Sequence, residues 1–271
     1  MTLYSHSKLS TFEQCRQKYK FQYIDRIQID VPDTVESFMG RMVHETLEKL
    51  YSELTANKTL SKEELIRYYN RLWEDKWTDN ILIVKKEFSK EYYAKKGSGY
   101  IERYYESHKP FNNTQTIGLE TSDILSLDGN NDYSIKIDRL SKDSDGTYYV
   151  YDYKTTSRMK NQQELDEDRQ LAMYSLWVKN NFSDVNDVKL VWNFLAFNKE
   201  VVSRRTEKQL EILKSEIKEK IKSIESCTDF PPKVSMLCDW CKFKPICPSW
   251  QGIYDIPKKP AREKQESLFR Y

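Results

Sequence analysis

Between Tyr133 and Thr155 the chain has one obvious solution, a β-hairpin with charges gathered at one end. Tyr133-Ser134-Ile135-Lys136-Ile137-Asp138-Arg139-Leu140 and Tyr148-Tyr149-Val150-Tyr151-Asp152-Tyr153-Lys154-Thr155 are rich in β-branched and aromatic residues, and the polar Ser141 to Gly146 between them carries the turn signal Asp145-Gly146. Side chains alternate along a strand, so Tyr148, Val150, Asp152 and Lys154 share one face while Tyr149, Tyr151 and Tyr153 share the other. A pairing centred on Asp145 sets Asp138 opposite Asp152, although the loop is long enough for the register to slip. Two carboxylates and a lysine converging at a strand end suit a hard divalent cation, Mg²⁺ or Mn²⁺, which takes oxygen ligands and neutralises charge on a phosphate under attack. The lysine would orient the attacking water. A salt bridge on a solvated sheet face is the other reading of an isolated D-x-K.

Asp138, Asp152-x-Lys154, Gly40-x-x-x-His44 on an upstream helix and Gln170-x-x-x-Tyr174 on a downstream helix together resemble the PD-(D/E)xK nuclease superfamily, within it the RecB-like exonuclease branch, over most of the chain. The resemblance implies an α/β fold: a restriction-endonuclease-like core with a mixed central sheet flanked by helices, a helical insertion and a metal-stapled C-terminal segment. It also implies His44, Asp138 and Asp152 as ligands of Mg²⁺ or Mn²⁺, Lys154 as the catalytic lysine, and Gln170 and Tyr174 as residues that shape the site and hold DNA. The backbone carbonyl of Tyr153 would add a ligand, and Glu120, on a strand expected over Thr116 to Leu127, is a further acid near the metal. Ile135 and Thr156 stand where the family often has glycine, and neither departure removes a catalytic group.

A 271-residue chain is long enough to bury a sizeable core, and only seven glycines and eight prolines argue against long disordered tracts. The net charge of +2 excludes a polycation that grips nucleic acid by bulk electrostatics, so local patches would have to do so. No apolar run approaches the ~20 residues that cross a bilayer, and the start lacks a signal-peptide pattern, so a soluble, cytoplasmic protein is expected with no membrane partner. Five cysteines, an odd number, favour metal or redox chemistry over a disulfide framework.

In chain order, residues 1–34 hold an N-terminal helix with Ser10-Thr11-Phe12-Glu13 as a capping box and Cys15 on its inward stripe. Arg16, Lys18, Lys20 and Arg26 could touch phosphates or simply face solvent. Residues 35–59 form the first core helix, where Gly40, one turn before His44, signals a close approach despite its cost of about 0.5–1 kcal/mol. Residues 60–110 read as a helical insertion broken near Gly97-Ser98-Gly99. Its tyrosines and tryptophans either stack on single-stranded DNA or form core. The nuclease core spans 111–226, with Gln163 to Lys179 as one helix, strands at Val188 to Phe197 and Glu200 to Arg204, and a helix at Glu207 to Ser226.

Residues 227–250 contain Cys238-x-x-Cys241-x(5)-Cys247, three ligands that need a fourth. Cys15 is the candidate and Cys227 the competitor. This spacing with a lone distant N-terminal cysteine resembles the iron-sulfur branch of the RecB-like nucleases, including AddB-type nuclease domains and CRISPR-associated RecB-like exonucleases. The resemblance implies a [4Fe-4S] cluster on Cys15, Cys238, Cys241 and Cys247, with a structural Zn²⁺ as the alternative. The basic tail, 251–271, carries Gln265, Leu268 and Tyr271 at positions one, four and seven, which resembles a sliding-clamp binding box that stops one aromatic short. The expected function is a metal-dependent DNA exonuclease acting on single strands or DNA ends in repair, recombination or CRISPR spacer acquisition. The alternative is a non-catalytic DNA-binding or clamp-adaptor protein that keeps the fold.

Overall fold

Alternating side chains between Gln115 and Ser203 build a mixed sheet, described in a computed structural model for residues 2–29 and 32–250. Its strands are β1 (Thr2–Tyr4), β2 (Gln115–Ser126), β3 (Asn131–Lys142), β4 (Thr147–Lys154), β5 (Asp187–Phe194) and β6 (Lys199–Ser203). The long β3 pairs antiparallel with β2, antiparallel with β4 from Arg139 onward, and parallel with β1 at its start. β4 pairs parallel with β5, and β5 antiparallel with β6. The β3–β4 ladder, Arg139↔Tyr151 to Lys142↔Tyr148, is centred on Asp145, so the hairpin adopts the register that faces Asp138 toward Asp152.

The helices are α1 (His6–Gln14), α2 (Arg16–Tyr19), α3 (Val35–Thr55), α4 (Lys62–Lys76), α5 (Lys90–His108), α6 (Gln162–Asp166), α7 (Arg169–Asn181) and α8 (Glu207–Glu225). The chain forms two compact units, one of Met1–Leu9 with Val31–Cys227 and one of Ser10–Asp30 with Thr228–Tyr271. In the first, α3, α4 and α5 share a core with Tyr151, Tyr153 and Val191 of the sheet. Tyr148, on the opposite face of β4, packs on Phe182 at the end of α7, so the sheet is covered on both sides. Tyr69, Trp73, Tyr93, Tyr100, Tyr104 and Tyr105 are all buried in that core. These six aromatic residues of 60–110 therefore serve packing, which is the usual fate of rings at helical spacing.

Several boundaries differ from the sequence reading. The break in 60–108 falls at 77–89, where Leu82 donates to Asp33 O (2.8 Å) and accepts from Val35 N (3.0 Å), an extended pairing that outweighs helical continuity. Gly97 lies inside α5, and a Cβ there would collide with the Tyr69 hydroxyl: the glycine makes room for a core tyrosine. The expected helix over Gln163 to Lys179 is two helices, since Asp168 caps α7 by accepting from Gln170 N and Leu171 N, and Arg205 donates to the carbonyls of Leu165 and Asp168 at the break. Helix α1 starts at His6, capped by Ser5 Oγ accepting from Lys8 N (3.1 Å), and not at Ser10. Cys15 accordingly lies on no helical stripe. It is extended and caps α2.

Candidate metal cleft

Backbone pairing between β3 and β4 stops at Arg139↔Tyr151, and the residues just past it, Asp138 on β3 and Asp152 to Lys154 on β4, make the site. Freed from the ladder, Tyr153 N–H donates to Asp138 Oδ2 (2.8 Å). The Tyr153 carbonyl, expected as a metal ligand, accepts from His44 Nε2 (2.7 Å). A carbonyl only accepts, so this contact puts a proton on Nε2 and turns Nδ1 toward Asp138 Oδ2 at 3.5 Å. An outer N–H held by a carbonyl while the inner nitrogen faces a carboxylate is how proteins orient a metal-ligating imidazole. His44 reaches this position because α3 passes close to the end of β4: a Cβ on Gly40 would sit 3.2 Å from Thr155 Oγ1. The mid-helix glycine is thus explained by the approach of the strand end.

Glu120 completes a group that sequence spacing left loose. His44, Glu120 and Asp138 each offer a ligand atom, and these atoms all lie within 4.8 Å of one another. The β2–β3 register, Leu119↔Arg139 and Thr121↔Ile137, brackets Glu120 opposite Asp138, and Glu120 adopts φ 41°, a left-handed conformation rare for a residue with a side chain. Backbone strain in a strand that aims an acid at other acids marks a site held by its surroundings. Glu48, one helical turn beyond His44, lines the same cleft and was not singled out from sequence. Its carboxyl is raised by burial and then by Glu120 and Glu45. Its i, i+4 relation to His44 was the available signal.

Asp152 is buried and paired with Lys154, whose Nζ lies 2.9 and 2.7 Å from its two oxygens. Burial opposes the Lys154 charge, but Asp152, with Asp138 and Asp168 behind it, outweighs burial and holds the ammonium above its usual range. Asp138 is pushed up to about 6, first by burial, with Asp152 adding to it and His44 opposing. Gathering these acids without a cation is unfavourable, and a hard divalent ion on one nitrogen and two carboxylates would relieve it, so the donor set fits Mg²⁺ or Mn²⁺. Gln170 Nε2 donates to the Tyr174 hydroxyl (3.2 Å), and both line the cleft of about 930 Å³ with His44, Glu120 and Asp138.

In the second unit, Cys15, Cys238, Cys241 and Cys247 line one pocket. Cys15 Sγ accepts from Lys18 N (3.5 Å) and Lys233 N (3.4 Å), and Cys238 Sγ from Ser235 N (3.4 Å). The Cys247 thiol is raised by burial, with Cys15, Cys241 and Cys238 contributing. Cys227 belongs to the other unit. Gln265, Leu268 and Tyr271 lie outside the described residues.

A mixed sheet flanked by helices, presenting a histidine, acids and a D-x-K where its central strands part, has the layout of a restriction-endonuclease-like fold. A family profile agrees: the PD-(D/E)XK nuclease superfamily matches residues 3–248, and the chain belongs to that superfamily. No curated protein matches it. Among solved structures, the crystal structure of SSO0001 aligns over 90% of this chain and 93% of its own length, at 14% identity and a TM-score of 0.36. Among the described residues no helix is long and apolar enough to cross a membrane.

Proposed function

We propose that this protein is a divalent-metal-dependent DNA exonuclease that hydrolyses phosphodiester bonds of single strands or DNA ends. One observation carries the reading: a histidine and two acids within 4.8 Å of one another, at the strand ends where Asp152 holds Lys154. Mg²⁺ or Mn²⁺ on His44, Glu120 and Asp138 would neutralise charge on the scissile phosphate. Asp152, facing Asp138, is the remaining carboxylate such a site uses, and it keeps the Lys154 ammonium charged and in place. Lys154 donates a hydrogen bond that orients the attacking water. As that oxygen bonds to phosphorus and releases a proton to solvent, the P–O ester bond breaks, and the leaving oxygen takes up a proton from solvent. Gln170 and Tyr174 hold the substrate against the ligands.

Lys85, Phe88 and Lys96 along one wall of the cleft, with Tyr92 exposed and stacked on Phe88 at 4.1 Å between centroids, supply the cations and aromatic faces that favour unpaired bases. Incubation with linear and closed circular single-stranded DNA tests the reading. Linear strands should be degraded with Mg²⁺ or Mn²⁺ and circles spared. Full activity in excess chelator, or in Lys154→Ala, overturns it.

The cysteines are proposed to hold a [4Fe-4S] cluster that ties residues near Cys15 to the C-terminal segment. What supports the reading is that Cys15, Cys238, Cys241 and Cys247 line one pocket, a four-thiolate set of the kind that takes a [4Fe-4S] cluster, with a structural Zn²⁺ as the alternative. One zinc and no iron in anaerobically purified protein would reverse this choice. The proposed setting is DNA repair, recombination or CRISPR spacer acquisition. The tail is proposed to bind a sliding clamp through Gln265, Leu268 and Tyr271, and a peptide of residues 257–271 that fails to bind the clamp of the same organism removes that partner.

A further inference from the structure

Arg139 follows Asp138 in sequence but turns to the other face of the strand. In register with Tyr151, it stacks on that ring at 3.7 Å and on Tyr51 at 3.8 Å, so both faces of its guanidinium are covered and only its edge remains for hydrogen bonds. It is 4% exposed, and its Nε has no partner among the described residues. The titratable groups that act on it most are the hydroxyls of Tyr51, Tyr104, Tyr151 and Tyr153, not carboxylates. Asn193 on β5, 3% exposed, has an Nδ2 that is likewise without a partner. Both residues line a cavity of about 490 Å³, a volume ordinary for a small-molecule site. Glu200, the acid on its wall, faces His108 Nε2 at 3.7 Å.

Both residues bring hydrogen-bond donors to the cavity wall, and one of them is a cation, so the ligand that suits them is an oxyanion. They come from strands separated by β4, and a tetrahedral phosphate, with terminal oxygens in several directions, meets such donors better than a planar carboxylate. The remaining volume is bounded by rings, Phe111 and Tyr149 among them, with Lys199 adding positive charge. We propose that this cavity is a second ligand site that takes a nucleoside monophosphate, its phosphate on Arg139 and Asn193 and its base against the rings. The inference stands on the cavity and does not rest on the nuclease reading.

Adenosine monophosphate titrated calorimetrically into full-length Asp152→Ala protein in excess chelator tests it, since neither metal nor turnover then contributes. Saturable one-site binding is expected, displaced by inorganic phosphate, reduced at least about tenfold by Asn193→Leu and lost in Arg139→Leu. Asn193→Asp sets a carboxylate beside the guanidinium and should weaken binding at least as much, which keeps the test decisive if Arg139→Leu does not fold. No saturable binding tighter than about 1 mM, or an affinity unchanged by Asn193→Asp or by a folded Arg139→Leu, overturns the proposal.

Discussion

The carboxylate cleft and the cysteine pocket are both candidate metal sites, yet they are held by opposite means. The cleft sits on a sheet and helices whose buried residues include Phe38, Trp73, Tyr104, Tyr153 and Trp192, and its candidate ligands His44 and Asp138 are held by backbone hydrogen bonds. Between residues 228 and 250 only Phe243 is buried, the regular structure is three short 3₁₀ turns, and Met236 and Trp240 are 85% and 77% exposed. Turns of that length bury little. The difference teaches what each metal would be for: in the first unit it joins a site that already stands, while in the second it replaces a core.

Substitutions can break that contrast, beginning with the largest effect. Asp152→Ala or Lys154→Ala should lower DNA hydrolysis on the order of a thousandfold while far-UV circular dichroism stays native, because the surrounding core is untouched. Cys15→Ser should bleach the protein and open residues 228–250 to proteolysis, whereas Cys227→Ser should do neither. Protease resistance in a colourless Cys15→Ser protein would mean that this segment has another source of stability.

Asp138→Asn reads the cost of keeping a buried carboxylate charged, with Asp152 beside it. With a carboxyl raised from 3.8 to about 6, the folded state holds the proton more tightly than the unfolded chain, so metal-free stability falls as pH climbs from about 4 to 6 and the loss is complete above that. Removing the charge should then raise the stability of metal-free protein at pH 7 by at most about 3 kcal/mol, seen as a higher melting temperature, and abolish the stabilisation by Mg²⁺. A lower metal-free melting temperature would contradict this origin of the shift. The smallest effect belongs to Gly97→Ala, which forces Tyr69 to move and should cost about 1–3 kcal/mol in chemical denaturation without altering metal dependence.

The hairpin and its register were legible because alternation and a single turn signal leave few other pairings, and Gly40 could be read as a close approach because a mid-helix glycine is costly. Glu120 was not secure: its role depends on a positive φ imposed by the sheet, and sequence does not announce that conformation. The breaks at 77–89 and at Asp168 escaped for a similar reason, since each is decided by a partner distant in sequence, Asp33 to Val35 in one case and Arg205 in the other. The three-residue β1 is too short to show a period, and the clamp of Tyr51 and Tyr151 on Arg139 joins a helix to two strands.

Tyr153 gives its N–H to one candidate ligand and its carbonyl to another, so the bite between Asp138 and His44 is gauged by the length of a single residue. That residue's own ring is locked edge-on against Tyr104 in the core. A jaw cut to one peptide unit has little travel. It suits an ion of the size of Mg²⁺, with ligands at about 2.0–2.1 Å, and resists opening for Ca²⁺, which asks for about 2.3–2.6 Å and more oxygens.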